Sequence, residues 1–170
     1  RELFWVTMLC GGAGFTYGAG GIWQLNTAGN YFGEFGRYEE TSWVEAMNLP
    51  GSSHIGMARA LLAKYRWWLL QPSPESVEPH AADPEWHLPY AAAIPRELRI
   101  VYIPRVFYSF DSPLVKGLES DVAYRAYYWN PITAAELDLG AVEADAEGAW
   151  QAPPLPMVQD WVLVLHAAAD

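Results

Sequence analysis

Gly11-Gly12-Ala13-Gly14-Phe15-Thr16-Tyr17-Gly18-Ala19-Gly20-Gly21-Ile22-Trp23-Gln24 places six glycines around a short strand-like core and ends on an indole and an amide. Glycine costs conformational entropy in regular structure and gathers where φ is positive or where backbone must come close to something. The density here reads as a strand leaving a core for a functional loop. Upstream, residues 2–10 are apolar on every face; length alone leaves helix and strand open, and a helix closed by Gly11 is the favoured reading. Ala13–Gly18 alternates small or polar residues with aromatic ones, as a short buried parallel strand would.

Downstream, residues 19–42 form a long loop with five glycines and the aromatics Trp23, Tyr31, Phe32, Phe35 and Tyr38. Loops of this length inside compact domains usually carry function. Ser42 is placed to cap a short helix through Met47, and Ser52 or Ser53 to cap a second whose Ile55, Ala58, Leu61, Leu62 and Tyr65 share a face. Helix, strand, long loop and helix together look like the closing βα unit of a barrel. Pro72, Pro74, Pro79 and Pro84 then mark a linker that no regular element is expected to cross. Beyond it, Leu88–Ile94, Leu98–Pro104, Val122–Trp129, Glu136–Val142, Ala149–Ala152 and Trp161–His166 read as short strands separated by turn signals, the spacing of an antiparallel sandwich. The fold class is thus α/β plus all-β, with residues 1–77 the end of a (β/α)₈ barrel and residues 78–170 an antiparallel β-sandwich.

The Gly11–Gln24 segment, Trp43-Val44-Glu45-Ala46, the Leu49-Pro50-Gly51-Ser52 turn and the Trp67-Trp68 pair resemble the end of the barrel of apiosidase-like glycoside hydrolases, in which a small β-sandwich follows. The resemblance runs from the first residues to about Ser76, and more loosely to Asp160-Trp161-Val162-Leu163-Val164-Leu165. It implies that the acid/base Asp and the partner Glu lie on earlier strands, upstream of this chain. It also implies a periplasmic or secreted protein. Members commonly carry His where this chain has Phe15, and their sandwich has been labelled collagen-binding, a role that no residue here supports independently. The opening Arg1-Glu2-Leu3-Phe4-Trp5, without an initiator Met, suits a C-terminal fragment whose partner is the remainder of the barrel from the same parent chain.

Composition removes several function classes. At 52% hydrophobic and 15% aromatic the chain is too apolar for disorder. Its formal charge of -10 is concentrated in residues 78–170, with five basic and fourteen acidic side chains, against five and six before them. Nucleic acid is therefore excluded as a partner, since its binding needs Lys and Arg on phosphates. The single Cys10 forms no intrachain disulfide and no multi-cysteine zinc site, and its apolar run reads as core. No apolar stretch reaches the roughly 18 residues of a membrane span.

Sugars present apolar C–H faces ringed by hydroxyls, so their sites combine flat aromatics with hydrogen-bonding groups. At the C-terminal end of a barrel strand, where barrel active sites lie, Tyr17, Trp23 and Gln24 supply both and are the candidate substrate-binding residues; the alternative is that Tyr17 and Trp23 plug the barrel mouth. Glycoside hydrolysis needs two carboxyl groups about 5–10 Å apart. Glu34, Glu39, Glu40 and Glu45 lie near the expected mouth but on no strand end, and read as loop and helix-face charges; no catalytic residue is assigned. His80, Asp83, Glu85 and His87 match no metal site by spacing and read as a polar linker, His54 as a cap or surface residue, and Trp67-Trp68 as packing between barrel and sandwich. No metal or cofactor is expected. A carbohydrate is the expected substrate, and a glycan- or protein-binding module without catalysis is the alternative.

Overall fold

The structure, a computed structural model, describes residues 1–27, 29, 41–82, 85–105 and 112–168. Its first part is helical: α1 (Glu2–Leu9), α2 (Trp43–Ala46) and α3 (Pro50–Leu62). Among the described residues nine strands follow: β1 (Gln71–Pro72), β2 (Val77–Glu78), β3 (Tyr90–Ile94), β4 (Leu98–Ile103), β5 (Leu114–Val115), β6 (Tyr124–Trp129), β7 (Glu136–Ala141), β8 (Trp150–Gln151) and β9 (Trp161–Ala167). They pair antiparallel in a six-stranded sheet ordered β1-β3-β4-β9-β6-β7 and a three-stranded sheet ordered β2-β5-β8.

The helices lie on one face of the large sheet and the small sheet on the other, giving three layers with two apolar cores. In the first core, Phe4, Trp5, Met8 and Leu9 of α1 and Ala58, Leu61 and Leu62 of α3 meet Ile100 and Tyr102 of β4, Tyr127 and Trp129 of β6, and Val162 and Val164 of β9. In the second, Val101 and Ile103, Tyr124, Ala126 and Tyr128, and Trp161, Leu163 and Leu165 meet Val77 and Val115 of the small sheet. Successive side chains of a strand point to opposite faces, so β4 must be apolar at nearly every position, and all six of its residues are buried. The exception in composition is Arg99, 5% exposed, whose guanidinium is held by the carbonyls of Ile94, Leu98 and Gly117 and by Glu119 at 3.1 Å.

Local chemistry explains the helix ends. α1 closes as expected on Gly11 at φ +90°, with the Gly12 N–H donating to the Thr7 carbonyl at 2.9 Å and the Gly11 N–H to Met8 at 3.3 Å, a Schellman ending. Ser42 caps α2 through a reciprocal capping box with Glu45. α3 starts two residues before the expected serine caps because Pro50, at its first turn, is already preset for helical φ.

Three expectations are corrected. Ala13–Gly18 is not a strand: a parallel strand needs neighbours to complete its ladder, and among the described residues the segment has none. The proline-rich stretch does hold regular structure. Pro72 sits in β1, at the outer edge of the large sheet, where a missing N–H costs no ladder bond, and β2 includes Val77 and Glu78 on either side of position 77/78. Cys10 is exposed rather than core, since α1 buries only the face formed by residues 4, 5, 8 and 9. Of the tryptophan pair, Trp67 packs against the first core and Trp68 is 65% exposed.

Candidate functional site

The glycine-rich segment leaves α1 without regular structure and then winds through turns at residues 20–25. Ile22 N–H donates to Ala19 O, Leu25 N–H to Ile22 O and Asn26 N–H to Gly21 O, each at 3.0 Å. Gly21, at φ +96°, is buried under the Thr41 carbonyl, where a Cβ would collide with its oxygen. The Asn26 carbonyl then accepts the Trp43 N–H at 2.8 Å and fastens the turn to α2.

Within this frame Trp23 presents an indole that is 66% exposed. Gln24 turns inward: its Oε1 accepts the Gly21 N–H at 2.6 Å, so the amide shapes the turn and would meet a ligand through its Nε2. Tyr17 is half-buried against the first turn of α3, where a Cβ on Gly51 would come within 2.9 Å of its Cε2. Two residues earlier, Phe15 faces the helices as well, edge-on to Phe4 with ring centroids 5.5 Å apart. Phe15 lines a hollow of about 290 Å³ between α1 and α3, together with Met8, Ile55, Arg59 and Trp67. Tyr17, Trp23 and Gln24 do not line that hollow.

The carboxylates described in residues 1–69 are Glu2 and Glu45. Glu45 is committed to its cap: its Oε2 accepts from Ser42 Oγ at 2.7 Å and Ser42 N at 3.0 Å, and these bonds hold its carboxyl below the usual range. Glu34, Glu39 and Glu40 lie outside the described residues, as does Asp83. His54 is half-buried on α3, where burial first and the nearby Arg1 charge second push its imidazole below the ordinary histidine pKa. The His80 ring meets the Val77 carbonyl at 3.1 Å, and no three His, Cys, Asp or Glu residues among those described are grouped to hold a metal.

Sequence reasoning missed two polar networks that join the layers. Asp160, 2% exposed, accepts from Arg1 Nε at 2.7 Å, Arg1 Nη2 at 2.6 Å and the Tyr102 hydroxyl at 3.2 Å. The hydroxyls of Tyr65 and Tyr127 meet at 2.6 Å, and burial pushes both phenols upward in pKa. Partners 159 and 62 residues apart leave no mark in local sequence.

Residues 1–69 match the family model described as the apiosidase-like catalytic domain. Over that stretch the chain is similar to the apiosidase-like family. Two solved structures resemble the whole chain: a glycoside hydrolase at a TM-score of 0.77, and a glycoside hydrolase of family 5 from Bacteroides vulgatus ATCC 8482 at 0.76. Each is 18% identical and is matched over 100% of this chain and 36% of its own length. The likeness is therefore one of fold, and this chain spans little more than a third of those structures. No curated protein matched.

Proposed function

We propose that the chain is the C-terminal part of a glycoside hydrolase acting on polysaccharide side chains, with residues 1–77 completing a (β/α)₈ barrel and residues 78–170 forming its accessory sandwich. Trp23 gives a sugar an apolar platform, Gln24 holds that platform in shape and offers its amide nitrogen, and Tyr17 adds a phenol at the base of the segment. The acid/base pair belongs to earlier strands of the parent, in keeping with the commitment of Glu45 to its helix cap. The observation that carries this reading is an indole 66% exposed on a turn locked by the Gly21–Gln24 and Asn26–Trp43 hydrogen bonds, inside an apiosidase-like stretch. Exposed aromatics on fixed backbone suit a ligand with apolar faces.

The test is Trp23→Ala in the full-length parent. Truncating an aromatic anchor should reduce kcat/KM on the glycan substrate by about 1–3 kcal/mol, roughly 5- to 150-fold, with Glu45→Gln changing it far less. Unchanged kinetics in Trp23→Ala together with lost turnover in Glu39→Gln would move the chemistry into this chain and overturn the proposal.

A further inference from the structure

α3 is anchored at one end and meets the candidate site at the other. Just past its last residue, Lys64 pairs with Glu136 of β7, Tyr65 shares its hydroxyl contact with Tyr127 of β6, and Arg66 pairs with Glu97 before β4. Tyr127 is 8% exposed, and the His166 ring of β9 stands 6.3 Å from Tyr65 and 6.1 Å from Tyr127. Ala58, Leu61 and Leu62 seat the helix in the first core. Eleven residues back from its last residue, about 17 Å at 1.5 Å per residue, Gly51 lies against the Tyr17 ring so closely that a methyl group would not fit. Residues 13–18, in contrast, make no ladder bond of their own among the described residues.

We propose that α3 is a strut through which the antiparallel sheet sets the position of Tyr17 and of the turn that begins just after it, which makes Tyr65 and Tyr127 positioning residues for the candidate sugar site. A packed helix moves as a rigid element, so a change at its anchored end is carried to Gly51. The functional consequence rests on reading Tyr17 and Trp23 as sugar-facing; the mechanical coupling is testable without any sugar.

The chain has ten tyrosines, and uniform 3-fluorotyrosine labelling would report each by ¹⁹F NMR, with Tyr17→Phe assigning the Tyr17 resonance. Gly51→Ala gives the shift produced by direct displacement. Tyr65→Ala should move the Tyr17 resonance by a sizeable fraction of that shift, while Tyr124 and Tyr128, in the second core, stay in place. Should Tyr65→Ala fail to fold, Tyr127→Phe removes only the buried hydroxyl contact and should move Tyr17 in the same sense. A Tyr17 resonance unmoved in the anchor variants, or moved together with Tyr124 and Tyr128 as general loosening would do, overturns the strut. In the full-length parent, Tyr65→Ala should raise KM about threefold with kcat kept. A moved resonance with unchanged KM would uphold the strut and remove Tyr17 and Trp23 from the sugar site.

Discussion

At Asp160 one carboxylate joins α1, β4 and the start of β9. Its charge is taken from water and matched by a bidentate guanidinium, and that hydrogen bond, ahead of the charge attraction, holds Arg1 above its usual pKa. Removing one member of such a pair leaves the other poorly paired in a dry site. Asp160→Asn should therefore destabilise the chain by about 2–3 kcal/mol, less than a fully buried pair because Arg1 keeps a quarter of its side chain exposed. Tyr102→Phe, which loses one longer hydrogen bond, should cost about 1 kcal/mol. Urea unfolding of both variants reads the difference, and equal midpoints would show that Asp160 is satisfied without Arg1. The candidate site is legible at this scale in part. Trp23 stands out because it follows a glycine run, whereas the seating of Tyr17 depends on Gly51, which arrives 34 residues later in the chain, and the inward turn of Gln24 on the positive φ of Gly21, which sequence does not print.

Among the elements, strands were the easier to read. Runs such as Leu98-Arg99-Ile100-Val101-Tyr102-Ile103 are bounded by turn residues and rich in β-branched and aromatic side chains, so β3, β4, β6, β7, β8 and β9 fall inside the expected segments to within a residue or two. What sequence could not supply was pairing. Position 13–18 has the pattern of a strand, but pattern does not provide a neighbour; Pro72 has the look of a break, but an edge position tolerates it. The ending of α1 was legible because one residue does the work. Gly11 adopts a left-handed φ and abuts Pro72 of β1, with a Cβ there only 3.3 Å from the proline Cγ. Gly11→Ala should cost about 1–2 kcal/mol through backbone strain, and Gly11→Asn less, since asparagine tolerates that region. Thermal melts of the two variants would check the order, and an Ala variant as stable as the parent would mean that the Schellman turn is not what ends the helix.

For the molecule as a whole, burial of phenols sets a limit on alkaline stability. Desolvation is the leading cause that pushes Tyr102, Tyr124, Tyr127 and Tyr128 above the ordinary tyrosine value. In the unfolded chain these groups lose protons near pH 10, while the folded chain still holds them, so the folded state binds more protons above that pH. Stability contributed by the neutral phenols is complete below about pH 10 and declines as pH rises past it. Circular dichroism across pH 8–12 should show a steep loss above about pH 10, coincident with tyrosinate absorbance. Ionisation of all ten tyrosines while the sheet signal persists would contradict it.

The large sheet, packed on both faces, also acts as a partition wall. Tyr102 looks toward the helices and Val101, its neighbour in the chain, toward the small sheet, so adjacent residues answer to separate compartments. Substitutions at such neighbours should drift independently across descendants of this chain, whereas Val101 and Leu163, or Tyr102 and Trp5, change in concert. Heredity would then record the two sides of the wall as two histories, interleaved residue by residue along a single strand.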